Sequence, residues 1–265
     1  MPFWAKEVGW TLDSKAREHH VNERLVSSMA RAIRAREALP RFPAGLDLEQ
    51  AYGIQKALVA EVAGGAIAGL KAGMTAAAGQ QQFGLTHPLV GSLYQSGRLS
   101  PGATFAVEPG VMLECEIGVT IDAAGHPRSA GPVIEVPRMA WGDPADATGS
   151  NLVASNIAAD RFIVGEQQPM RGSYDDVAVT LTRDGETVCE AQATDALGGP
   201  LEALAWMLEE AAKRGLEIAD DMLLIHAAHY WCTRRHPSGQ AGRLRCELRS
   251  VWDHRVHRRL NHRRD

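Results

Sequence analysis

Apolar positions along the chain keep two different rhythms, and each predicts its own kind of element. Leu25, Met29 and Ile33 recur at helical spacing in a stretch rich in Ala, Arg and Glu. They predict an amphipathic helix over residues 13–39, broken by Pro40 and Pro43. Asp47, with Gln50 three residues on, predicts a capping box at the start of a second helix. Its stripe is Ala51, Ile54, Leu58 and Val62, and Gly64-Gly65 ends it. Residues 66–73 read as a buried strand carrying one lysine, Lys71. A lysine in such a run more often snorkels at an edge than does chemistry. Residues 75–88, rich in Thr, Ala, Gln and Gly, predict a loop or short helix over a cleft. Turns follow at Pro101-Gly102 and Pro109-Gly110. Residues 111–121 read as a strand and Asp122-Ala123-Ala124-Gly125 as a hairpin turn, with a short strand over 133–136 beyond it. Residues 177–182 and 187–191 alternate around Asp184-Gly185, a strong hairpin signal. Leu201, Leu204, Ala205, Leu208 and Ala212 form the stripe of a helix ending at Gly215, and a strand opens at 221–225. A predominantly β body with a few helices points to an α+β fold rather than a parallel βαβ one.

The strand at 111–121 carries the chemistry. Glu114 and Glu116 stand two apart, so both carboxylates project from one face, with Cys115 on the other. Two carboxylates side by side on an apolar strand repel each other and cost desolvation. A divalent cation relieves both problems, and an all-oxygen ligand set favours Mg²⁺, Mn²⁺ or Ca²⁺ over zinc. A solvated strand face with two ordinary surface acids is the alternative reading.

Composition narrows the setting. The 265 residues are 45% hydrophobic and 23% charged, enough for one large or two small domains. No apolar run reaches the roughly 18 residues of a membrane helix. Residues 1–7 lack an apolar signal core, and the four cysteines (Cys115, Cys189, Cys232, Cys246) form no C-x-x-C pair. The expectation is a reduced, cytoplasmic protein. Charge is uneven: residues 226–265 hold ten arginines and three acids, and six of the ten histidines.

Several separated stretches resemble the 2-keto-4-pentenoate hydratase and 4-oxalocrotonate decarboxylase family, within the wider fumarylacetoacetate hydrolase superfamily. Leu48-Glu49-Gln50-Ala51-Tyr52-Gly53-Ile54-Gln55 is similar to its L-x-x-A-Y-x-I-Q helix. Lys71-Ala72-Gly73-Met74-Thr75 resembles its K-x-G-[LM]-T strand end, and Gln80-Gln81-Gln82-Phe83-Gly84 its Q-Q-x-[LFM]-G. Glu114-Cys115-Glu116-Ile117 resembles its E-x-E-I metal strand, and Ile134-Glu135-Val136 a later strand bearing a third carboxylate. Leu201 to Trp206 resembles its A-L-x-W-L helix. The match runs in consistent order over about residues 20–225.

The resemblance implies a mixed β-roll, like the C-terminal domain of the fumarylacetoacetate hydrolases, with N-terminal and flanking helices. It divides the chain into an N-terminal helical segment (1–65), a metal-binding catalytic roll (66–225) and an atypical tail (226–265). It also implies Mg²⁺ or Mn²⁺ held by Glu114, Glu116 and Glu135. Lys71 would be the proton-transfer or enolate-stabilising group, with its proton affinity lowered by burial beside a metal. Gln82, Thr75 and His87 would contact substrate. The implied activity is hydration of a 2-hydroxy-2,4-dienoate in aromatic catabolism, with 4-oxalocrotonate-type decarboxylation as the alternative. The partners implied are a small 2-oxo or dienol acid, further copies of the chain, and a paired decarboxylase or hydratase; no membrane is implied, nor nucleic acid.

Two departures stand out. Leu89 occupies the place where hydratases of the family carry an acid, which deprives an attacking water of a base; His87 is the nearby substitute. Beyond Ile225 the family's alternating strands give way to Arg- and His-rich sequence. A nucleic-acid arm, a histidine metal tract, or out-of-frame translation of a GC-rich gene accounts for that composition, and the last is favoured. On that reading the chain lacks two closing strands and is an inactive family member.

Overall fold

The computed structural model describes residues 4–65, 67–105, 108–227 and 244–249. Its elements are α1 (Trp4–Ala35), α2 (Leu48–Ala63), β1 (Ile67–Gly73), α3 (Ala77–Gln82), β2 (Leu89–Tyr94), β3 (Arg98–Leu99), β4 (Glu114–Ile121) and β5 (Pro127–Val136). They continue as α4 (Gly149–Ala154), β6 (Arg161–Val164), β7 (Gln168–Pro169), β8 (Ala178–Arg183), β9 (Glu186–Gln192), α5 (Pro200–Arg214), β10 (Leu223–Ala227) and β11 (Leu244–Arg249). The fold is α+β.

The chain divides into two compact units, Met1–Gly65 with Ala140–Asn156, and Ala66–Met139 with Ile157–Asp265. In the first, α2 packs against α1 and α4. The Asp47 side chain accepts from the Gln50 N–H while the Gln50 side chain accepts from the Asp47 N–H, the expected capping box. Ala51, Ile54 and Leu58 are buried along the expected stripe. The buried Gln55 amide donates to Val153 O of α4 at 3.2 Å. Helix α1 begins well before residue 13, where the sequence places its start.

The second unit is built on an eight-stranded mixed sheet in the order β2-β1-β10-β4-β5-β6-β3, with β7 beside β5. The β1–β10 and β3–β6 pairs are parallel and the rest antiparallel. A three-stranded antiparallel sheet, β11-β8-β9, packs on β4 and β5. Asp184 and Gly185 both take positive φ in the two-residue turn of the β8–β9 hairpin, as their pairing in sequence predicts.

Sheet pairing extends some elements beyond what the pattern shows. Strand β5 covers ten residues, not the four of 133–136, because its whole length pairs with β4. Strand β2 is buried at every position, and the sequence reading leaves it unassigned. Strand β11 forms inside the tail, where the sequence reading expects alternation to be lost; over Leu244–Arg249 apolar and charged residues do alternate, and the stretch pairs with β8. The expectations for residues 228–243 and 250–265, the out-of-frame reading included, lie outside the described residues.

Leu93, Val133, Phe162, Leu223 and Ile225 form a core on one face of the large sheet. Burying each such side chain is worth about 1.5–3 kcal/mol. Among the described residues, no helix is long and apolar enough to cross a membrane.

Candidate metal centre

Register places the charged residues at one end of this apolar face. In the β4–β5 hairpin Glu114 stands opposite Glu135 and Glu116 opposite Val133. Glu116 and Gly118 follow Glu114 at the two-residue strand period, so all three share its face. Lys71 of β1 is level with Ile225 of β10, which is level with Gly118. Gly118 has to be glycine: a Cβ there would come within 2.5 Å of Val133 Cγ2 and 2.9 Å of Leu223 Cδ1. Its bare backbone lets the core close beneath the acids. The hairpin turn sets this register, with Asp122 accepting from the N–H groups of Ala124 and His126 at 2.9 Å each.

Glu116 and Glu135 are 0% and 1% exposed, Lys71 is 3% exposed, and Glu114 is partly buried. One oxygen from each of Glu114, Glu116 and Glu135 lies within 4.8 Å of the others. Lys71 Nζ donates to Glu135 Oε1 and, at 3.1 Å, to Ile157 O. Lys71 is not at an edge: β1 is flanked by β2 and β10, so the snorkelling alternative fails.

Donors for the acids are scarce. Among the described residues, no N–H or O–H reaches either oxygen of Glu116 or Oε2 of Glu135. Glu116 and Glu135 meet carboxyl to carboxyl, and Glu135 also meets Lys71. A buried carboxylate with no donor is costly, because it has lost water and gained nothing. The proton affinities register this. Burial, with the charge of Glu135, raises Glu114 to about 7 and Glu116 well above the usual carboxylate range. Burial also raises Glu135, although Lys71 pulls the other way.

For Lys71 the direction expected from sequence is reversed. Burial alone would lower its proton affinity, but Glu135, Glu114 and Glu116 outweigh burial and raise it. The ammonium is therefore held protonated, and with all three acids ionised the site would carry an excess of two negative charges, which is why their proton affinities rise. A divalent cation fits that excess and the orphaned oxygens together. The alternative of solvated surface acids does not survive the burial of Glu116 and Glu135.

The structure thus gathers Lys71, Glu114, Glu116 and Glu135. The three residues expected at the substrate sit in the segment after β1. Thr75 is partly buried; Gln82 ends α3 and is exposed; His87 is exposed, its Nδ1 2.9 Å from Pro88 O. The Ile157 carbonyl beside Lys71 was missed by sequence reasoning, since a backbone oxygen leaves no trace in residue type. Cys115, on the far face of β4, is disulfide-bonded, against the expectation of a reduced protein.

No family model matches the chain. A 2-keto-4-pentenoate hydratase of Burkholderia vietnamiensis is 28% identical over 231 residues, which is 76% of this chain and 87% of that one. One of Paraburkholderia phymatum is 29% identical over 214 residues, 72% and 79% of the two chains. Among solved structures, 4-oxalocrotonate decarboxylase from Pseudomonas putida G7, complexed with magnesium and adipate, superposes with a TM-score of 0.69 at 20% identity, over 85% of this chain and 94% of that one. The order of motifs, the hairpin acids and these likenesses agree: the chain is similar in sequence to the 2-keto-4-pentenoate hydratases and shares its fold with 4-oxalocrotonate decarboxylase.

Proposed function

We propose that the protein is a metal-dependent lyase that adds water to a 2-hydroxy-2,4-dienoate, giving a 4-hydroxy-2-oxo acid in the breakdown of aromatic compounds. The observation that carries this is the trio Glu114, Glu116 and Glu135 beside Lys71, with Glu116 and Glu135 buried and short of donors. The hydratase names of its relatives support the reaction class. On this reading the mixed sheet is the family's β-roll, and its three acids hold Mg²⁺ or Mn²⁺. Bound there, the ion supplies Lewis acidity toward the carboxylate and 2-oxygen of the substrate.

The chain's own residues do the rest. Glu114, Glu116 and Glu135 fix where the acid end of the substrate sits. Lys71, charged and pinned between Glu135 and Ile157 O, exchanges protons as the dienol's hydroxyl proton leaves and the far carbon gains one. Water then adds across the remaining 3,4 double bond. Thr75, Gln82 and His87 line the approach from the segment after β1.

A second reading, decarboxylation of a 2-oxo-enedioate, is favoured by one observation. Leu89, at the place of the hydratases' acid, is fully buried and opens β2, so it offers no base for water. One assay separates the two: loss of dienol absorbance from 2-hydroxypenta-2,4-dienoate and CO₂ release from 4-oxalocrotonate, followed with Mg²⁺. Hydration alone supports the first reading and CO₂ alone the second. Turnover untouched in Glu114→Ala and Glu116→Ala sinks both.

A further inference from the structure

Between α4 and β6, Asn156, Ile157 and Ala158 take φ of 57°, 52° and 56°. Three successive left-handed residues without a glycine are rare, and a β-branched side chain such as that of Ile157 tolerates this region least. Such a conformation persists only where its surroundings impose it. Two contacts do so here. Ala158 O accepts the Arg138 N–H at 2.8 Å. The buried Ile157 side chain seats on Gly73 at the end of β1, where a Cβ would come within 2.7 Å of Ile157 Cγ2 and its three nearest neighbours would all be Ile157 side-chain atoms. This hand of the turn aims Ile157 O at Lys71 Nζ, two residues back along the same strand.

We infer that Ile157, seated on Gly73, is a positioning residue: its strained turn holds the Lys71 ammonium at a fixed point beside the carboxylates. The Glu135 contact alone would leave Nζ free to swing about one acceptor; a second acceptor on the backbone restricts where the amine can point. Gly73 is then required for the absence of its side chain, since a methyl there pushes Ile157 and swings its carbonyl off the amine. The inference rests on Lys71 being the proton-transfer group of the proposed lyase.

A size swap in the full-length, Mg²⁺-loaded protein tests it. Two quantities are read: the kcat and KM of turnover, and acylation of Lys71 by acetic anhydride, measured by mass spectrometry with the exposed Lys56 and Lys213 as internal references. Gly73→Ala is expected to lower kcat about tenfold with KM little changed, the size of effect that small misplacement of a catalytic group gives. Lys71 acylation should rise while Lys56 and Lys213 stay constant. Moving the methyl back, in Gly73→Ala with Ile157→Ala, should return both readings toward wild type. If Gly73→Ala alone does not fold, the double variant should lie closer to wild type than Ile157→Ala does. Unchanged Lys71 acylation in Gly73→Ala, or a double variant further from wild type than Ile157→Ala, overturns the inference. Absence of turnover in the wild type would refute the proposed reaction yet leave the acylation result readable.

Discussion

Two lysines in this protein face clusters of glutamates, and both hold their protons more tightly than usual. Lys213, on α5, is solvated: it donates to Glu210 at 3.0 Å, lies 2.9 Å from Glu209, and those hydrogen bonds are what raise it. Lys71, on β1, is buried, and burial works against its charge; only Glu135, Glu114 and Glu116 together overcome that. The same sign thus has opposite meanings. On α5 Glu209 is solvated and Glu210, though largely covered, also has Arg214 at 3.5 Å, so neither acid depends on Lys213 and the pairs are worth little and fade with salt. On β4 and β5 the acids have lost water, one lysine cannot neutralise three of them, and the site calls for a cation. Density of acids in sequence does not distinguish the two places, whereas solvation does.

The sharpest way to break the comparison is to remove each ammonium. Lys71→Met should lower turnover on the order of 10²–10⁴-fold, the range for a positioned acid–base group. It should also destabilise the metal-free protein by about 3–5 kcal/mol in chemical denaturation, because the buried acids lose the counter-charge that Lys71 supplies. Next in size, Glu116→Gln should cost turnover on the order of 10²–10³-fold. It should raise the melting temperature in EDTA most at high pH, where the wild-type carboxyl must either keep its proton or be buried charged.

Smaller is the pH effect, whose sign follows from the raised carboxyls. Glu114 titrates at about 7 in the folded protein against an ordinary 4.5. The fold therefore keeps a proton that the unfolded chain has released, and stability falls as pH rises through that window. Glu116 and Glu135 act in the same direction. Lys71, raised from an already high value, contributes stability throughout and loses it only in strong alkali. Melting in EDTA should accordingly decline from pH 5 to pH 8, and added Mg²⁺ should restore more at pH 8 than at pH 5. A flat profile would mean the carboxyls are not buried together. The smallest effect is expected of Lys213→Met, which should leave melting temperature and turnover unchanged.

Much of this was legible before the fold was known, for local reasons. The two-residue strand period alone puts Glu114 and Glu116 on one face. Asp47 with Gln50, and Asp184 with Gly185, announce a helix start and a hairpin through chemistry confined to a few residues. What was not legible depends on partners distant in sequence. Residues 127–132 look like a loop because Pro, Ser and Gly crowd them, yet pairing with β4 makes them strand. The direction of the Lys71 shift required knowing that Glu135, 64 residues away, touches it. The Ile157 carbonyl needed three backbone angles that its residue types argue against. Strand β11 does carry an alternation of its own, Leu244, Cys246 and Leu248 between Arg245, Glu247 and Arg249, hidden by the Arg- and His-rich composition around it.

The central claim is that the buried trio is a cation site. Calorimetric titration of Mn²⁺ into the metal-free protein at pH 8, beside Glu116→Gln, tests it most directly. The account predicts one ion bound per chain, with protons released on binding, and no detectable binding in the variant. A wild type that takes up no ion, or a variant that binds as tightly as wild type, would contradict it.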